Sequence, residues 1–247
     1  MKHNCRFTLF LAILCASVGL LTGCHGICDW IYDDPEEDLQ DPSLPDGWKE
    51  LSNDGLSGTL YLDASSYTRW NYVDWLNTRC TPLDFGTDIT PDSLAAIEPV
   101  AWDFAVHRYD VKTNGGRAAE TRYTSIDELL SDCRSANTIG EWLSTQDIQL
   151  EPDVWCDSVV TIDMSHMLDG YLVYLPSFYN RQISHWLDVN TSQMPPIYTK
   201  SDRIYVLVTG DGRAYALWLK NYISSGGVKG FMTIGYRYLG FLVEPLR

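Results

Sequence analysis

Residues 203–222 read RIYVLVTGDGRAYALWLKNY. Two runs rich in Val, Leu, Tyr and Trp flank Gly210-Asp211-Gly212, a triplet whose glycines tolerate the positive φ of a tight reversal, so the stretch predicts an antiparallel hairpin. The neighbouring sequence follows the same rule. LSGTLYLDASS (56–66) and RWNYVDW (69–75) read as early strands, AWDFAVHRYDVKTNGG (101–116) as one long strand ending at the Asn114-Gly115 turn signal, and VKGFMTIGYRYLGF (228–241) as a late return strand. Only SIDELLSDCR (125–134) and FYNRQISHWLDV (178–189) carry helical patterning, and both are short. The expected fold is therefore mainly β, a single antiparallel β-sheet-rich domain with a few short helices. Neither an internal repeat nor a linker interrupts residues 50–247, which are taken as one domain.

Upstream, MKHNCRFTLFLAILCASVGLLTGC (1–24) has a basic start, an apolar run and a small-residue end, the pattern of a secretory leader too short to span a membrane stably. Leu21-Thr22-Gly23-Cys24 resembles a bacterial lipobox, which would remove residues 1–23 and place lipid on Cys24. Residues 24–49 then form an acidic, Pro-punctuated tether with little periodicity. Acidic residues close to a lipidated Cys also resemble the tag that directs some lipoproteins to the outer face of Gram-negative cells.

The chain carries 18 Lys and Arg against 33 Asp and Glu, and loss of Lys2 and Arg6 with the leader gives 16 − 33 = −17. Nucleic acid and anionic lipid are thereby disfavoured as partners, so membrane attachment falls to the lipid on Cys24. Cys28, Cys80, Cys133 and Cys156 remain in an exported compartment that permits disulfides, with three possible connectivities that spacing does not rank. They lack the paired spacing of a zinc site.

Hydrolytic machinery has no residue-level signature: GxSxG, HExxH and a P-loop are absent, and no pair of carboxylates has a defined separation. An enzyme is not expected. His107 lies inside a strand pattern and His185 beside Trp186 in a helical one, and both read as structural. The stretch DMSHMLDG (163–170) differs: two of the chain's five Met, Met164 and Met167, bracket His166 among turn-forming residues. A second polar setting, SQMPPIY (192–198), presents Met194 before two stiffening prolines. Thioethers are soft donors suited to copper(I) or haem iron, and two of them in separate loops could close on a planar cofactor from opposite faces. Packing remains the alternative role for these Met.

WDFAVHRYDVKTNGG (102–116), HWLDVNTSQMPPIYTKSDRIYVL (185–207) and YALWLKNYISSGGVKGFMTIGYRY (215–238) resemble the HmuY family of haem-binding bacterial lipoproteins, in order and over nearly the whole domain. The resemblance implies a β-rich haemophore, anchored on or released from the outer membrane, that takes haem between two axial side chains for delivery to a TonB-dependent receptor, with host haemoproteins as a source. Where the best-known members place their second His this sequence has Thr191. Other members similar to it use a Met pair, which transfers to Met167 and Met194 as axial ligands, with His166 and Met164 as alternatives for the first. Arg108 and Lys112 are candidates near the propionates. The rival expectation is a surface lipoprotein that binds glycan or protein through its aromatic residues.

Overall fold

The computed structural model describes residues 44, 47–85, 93, 96–163, 173–190, 192 and 196–242. The expected leader, Cys24, Cys28 and most of the expected acidic tether lie outside the described residues. In chain order the elements are β1 (Trp48–Asn53), β2 (Ser57–Asp63), β3 (Arg69–Asp74), β4 (Arg79–Asp84), β5 (Phe104–His107), β6 (Asp110–Thr113), β7 (Arg117–Glu120), α1 (Ile126–Cys133), α2 (Ile139–Thr145), β8 (Glu151–Pro152), β9 (Val154–Asp163), β10 (Val173–Tyr179), α3 (Arg181–Ser184), β11 (Leu187–Asn190), β12 (Ile197–Lys200), β13 (Tyr205–Val208), β14 (Arg213–Ile223) and β15 (Lys229–Phe241). The fold is mainly β and its pairings are antiparallel.

The hairpin expected around Gly210-Asp211-Gly212 is present as β13–β14, with Val208 opposite Ala214. Gly212 takes a φ of +89°, and the Thr209 hydroxyl donates to Asp211 at 2.5 Å, which locks the reversal. Alternation along this hairpin builds two cores. Tyr205, Leu207, Tyr215 and Leu217 face one side, whereas Val206, Val208, Ala214 and Ala216 face the other and are covered by α1 and α2 through Leu129, Ile139 and Trp142. Each of the Val, Leu and Ile side chains removed from water contributes roughly 1.5–3 kcal/mol, which makes the period-two pattern the main determinant of the layers.

The seven-stranded sheet runs β1-β2-β15-β14-β13-β7-β8, and a four-stranded sheet, β4-β3-β5-β6, packs on its first face. Val73, Phe104 and Val106 of the smaller sheet point into the shared core, while Trp70, Tyr72 and Ala105 point outward and are capped by Val159, Val160 and Leu175 of the β9–β10 hairpin. Arg213 fastens the two sheets, donating to the Asp103 carboxylate at 2.6 Å. From one side of the domain to the other the order is helices, large sheet, small sheet, hairpin.

Two sequence expectations change. Residues 101–116 are two strands, β5 and β6, reversed at Arg108-Tyr109, so that His107 pairs with Asp110. Neither turn residue is a usual former; Arg108 is held at a φ of +53° by its own guanidinium, which donates to the carbonyls of Ser65 (2.7 Å) and Lys229 (3.2 Å) and lies 4.3 Å from the Tyr67 ring centre. Gly230 makes room for it: a Cβ there would stand 2.8 Å from Arg108 Nη1. In residues 178–189 only the four residues of α3 are helical, between the end of β10 and the start of β11. The sequence reading also passed over α2, although Thr138 caps it by accepting from the Glu141 amide and the Glu141 carboxylate accepts from the Asn137 amide.

Candidate functional site

Met164, His166 and Met167 fall between β9 and β10, and Met194 falls between β11 and β12; all four lie outside the described residues. The strands that carry those connections are described. β9 and β10 pair from Val154–Tyr179 at the root to Asp163–Val173 beside the first connection. β11 and β12 pair from Leu187–Lys200 to Asn190–Ile197 beside the second. In sequence, each candidate stretch therefore falls between the two paired strands of an antiparallel hairpin.

Only α3 separates the two hairpins along the chain, and that junction is fixed to β6. Asn180, fully buried, donates from its side chain to the Glu151 carbonyl (2.9 Å) and to Asp153 Oδ1 (3.1 Å). Its side-chain oxygen accepts from the amides of Gln182 and Ile183, capping α3, and its own amide donates to the Val111 carbonyl at 2.6 Å. The Val111 amide in turn donates to the Ser184 hydroxyl at 3.0 Å. Asp153 completes the anchorage by accepting from the Thr113 amide at 2.6 Å and hydroxyl at 3.0 Å. Burial raises the Asp153 pKa, against the lowering effect of the Thr113 and Asn180 hydrogen bonds.

From this root the first hairpin crosses the outer face of the small sheet. Its Val159, Val160 and Leu175 join Trp70 and Phe85, at the end of the sheet where the Trp70 and His107 rings are 5.3 Å apart. Trp186, just before β11, donates to the Tyr109 carbonyl at 2.8 Å at the same end. Among the described residues beside the two stretches, three apolar ones are open, Val173 and Tyr174 after the first and Ile197 after the second, at 39%, 41% and 47% exposed, beside the polar Asn190 and Ser192. A flat apolar macrocycle needs walls of this kind, so the flanking residues fit haem as well as the donor set does.

The other histidines and the two basic candidates have local roles. His107 is buried, with Nε2 2.7 Å from the Tyr67 carbonyl. His185 is exposed at the C-terminal end of α3 and lies 2.8 Å from Asp188. Arg108 is spent on its turn, and Lys112 is buried against Glu98 at 2.5 Å and the Tyr72 hydroxyl at 2.9 Å, so neither presents a free charge for a propionate. Cys80, Cys133 and Cys156 are unpaired, each in or against a different core cluster. Among the described residues no helix is long and apolar enough to cross a membrane, and no group of three or more His, Cys, Asp or Glu forms a metal site.

Comparison with known proteins gives one family and several structures. The HmuY protein family matches residues 66–236. A Bacteroides vulgatus protein, described as a candidate HmuY-like haem-binding protein, shares 39% identity over 78% of this chain and 97% of its own, with a TM-score of 0.63. A candidate lipoprotein of Bacteroides fragilis shares 35% identity over 81% of this chain and 98% of its own, with a TM-score of 0.65. The apo HmuY analogue of Tannerella forsythia, at 18% identity over 82% of this chain and 98% of its own, has a TM-score of 0.57 and shares the fold. A search of curated proteins returned no match.

Proposed function

The chain belongs to the HmuY family, and from that premise we propose that it is a lipid-anchored haemophore that holds haem between Met167 and Met194. What supports this reading is that the strands on either side of each thioether-bearing stretch form consecutive hairpins that share one buried root at Asn180 and lie within the family match. The Bacteroides vulgatus relative, described as a candidate haem binder, and the Bacteroides fragilis relative, described as a candidate lipoprotein, support the ligand and the anchor respectively.

In this reading haem supplies an iron with two axial positions for soft donors. The work of the chain is to present them. Asn180 and Asp153 fix the angle at which both hairpins leave β6, while Val173, Tyr174 and Ile197 exclude water from the faces of the ring. Thioether donors favour ferrous over ferric iron, so binding tightens on reduction. With both axial positions filled no coordination site is left for turnover, and the protein acts as a carrier rather than an enzyme. Lipid on Cys24 would tether it to the outer membrane, at the cell surface or released from it. From there it would take haem, including from host haemoproteins, and pass it to a TonB-dependent receptor.

The test is a haemin titration of the full chain, with spectra recorded before and after dithionite, for the native protein and for Met167→Ala and Met194→Ala. Saturable binding with sharp low-spin ferrous bands, lost in both variants, is the expected result. A spectrum equal to that of free haem in both redox states would refute the reading. Loss in Met194→Ala but not in Met167→Ala would assign the first axial position to His166 or Met164.

A further inference from the structure

A cavity of about 350 Å³ opens at the root of the first hairpin, beside the Asn114-Gly115-Gly116 turn. It lies at the end of the small sheet away from the Arg108-Tyr109 turn. The ten residues of β9 separate it from the first ligand loop by about 30 Å at the usual strand rise. Its volume sits at the lower end of the range for small-molecule sites, about 300–1,000 Å³.

The walls are aromatic. Trp102 is held edge-on against Tyr72, with ring centres 5.0 Å apart. Phe178 forms the opposite lip, 50% exposed, and meets Trp155, 44% exposed and directly across the strand pair, at 5.0 Å and 72°. The Trp155 indole N–H donates to Asp157 at 3.0 Å, so the ring is fixed in orientation while its face stays open to water. Single exposed aromatics are ordinary, but a rigid pair continuous with a cavity mouth is a prepared contact surface.

The polar lining offers both donors and acceptors with balanced charge. Glu98 and Asp153 supply carboxylates, and Lys112 and Arg117 supply two cations. Lys112 is taken by Glu98. Arg117 is exposed, and its guanidinium makes no hydrogen bond or ion pair among the described residues. Gly116 keeps the turn close to the large sheet, since a Cβ there would stand 2.4 Å from the Val208 carbonyl, and Gly115 at a φ of +68° leaves the mouth free of any side chain.

An exposed aromatic face beside both donors and acceptors fits the chemistry of a sugar ring, with one C–H-lined face and an edge of hydroxyls. We propose that this cavity is a saccharide-binding site, separate from the haem loops, in which the exposed Phe178 ring stacks on a pyranose above the buried Trp102 and Arg117 and Glu98 bind its hydroxyls. The local charge balance does not favour a strongly anionic ligand, and the net charge of the chain opposes one.

The experiment is saturation-transfer NMR and calorimetric titration of the full chain with the methyl pyranosides of glucose, galactose, mannose and N-acetylglucosamine. Saturable binding of at least one of them is expected, weakened about tenfold or more in Phe178→Ala and Arg117→Ala and unchanged in Met167→Ala. Phe178→Leu, which keeps apolar volume but removes the ring face, serves the same purpose if the alanine variant loses its fold. No saturation by any of the four, or native affinity in the folded Phe178 variant, overturns the proposal. Haemin titration of the same variants stays native whichever way the sugar result falls.

Discussion

Replacing Glu98 by Gln should destabilise the protein far more than replacing Lys112 by Met. The Lys112 ammonium is almost completely buried, bonded to Glu98 and Tyr72, and 4.4, 4.8 and 5.6 Å from the ring centres of Trp70, Tyr72 and Trp102. Burial pushes its pKa down, and the Glu98 carboxylate is the chief influence that keeps it charged. Glu98→Gln leaves a cation in an aromatic box with no bonded counter-charge, only the weaker pull of the Asp153 carboxylate. Breaking a buried pair in this way costs about 3–5 kcal/mol, and because the Glu98 side chain is one-fifth exposed the lower end, about 3 kcal/mol, applies. For a domain of this size that is a fall in Tm of roughly 6–12 °C. Lys112→Met removes the charge altogether, keeps the stem against the rings, gains sulfur–aromatic contacts and lets Glu98 turn to water, for a net change within about 1 kcal/mol. Urea and thermal unfolding of both single variants and the double variant at neutral pH would measure the asymmetry, with the double variant expected near Lys112→Met. A Lys112→Met loss as large as that of Glu98→Gln would show that the pair is net stabilising and that the desolvation reasoning is wrong.

Two further outcomes follow from buried groups. Asn180→Ala removes the cap of α3 and two donor bonds at the shared root, so stability should fall by about 2–4 kcal/mol and haem affinity should fall with it; a folded variant with native haem affinity would disprove the anchoring role. Burial raises the thiol pKa values of Cys80 to about 12 and Cys133 to about 11, from an ordinary 9.0. Folding therefore favours the neutral thiols, a contribution complete below pH 9 and lost as pH climbs towards 11–12. The urea midpoint should drop over that window less steeply in a Cys80→Ala/Cys133→Ala variant, and a thiol reagent should label half-buried Cys156 in the native protein before either.

What the sequence made legible was whatever alternation and turn chemistry encode locally. The 203–222 hairpin needed only Gly-Asp-Gly between two period-two runs. The Arg108-Tyr109 reversal was hidden because its strain is held by the distant Ser65 and Lys229 carbonyls and by the absence of a side chain at Gly230, none of which is local in sequence. Helix α2 carried a readable signal in Thr138 and Glu141, obscured by its length of seven residues. For the candidate site, soft-donor chemistry at Met167 and Met194 could be read from the residues, but the Asn180 junction could not. A lone Asn between an aromatic run and a short helix has no pattern that marks it as the point where two hairpins meet β6.

The order of the large sheet bears on when this chain can fold. β15, the last strand, lies between β2 and β14, so Asp63 near the start of the domain is paired with Phe231 near its end. A partly synthesised chain has nothing to close that sheet with, and the long loop closure makes folding slow even once the chain is whole. A polypeptide that stays open until its last strand emerges, and for some time after, remains threadable, which is the condition that passage through a narrow translocation channel would require.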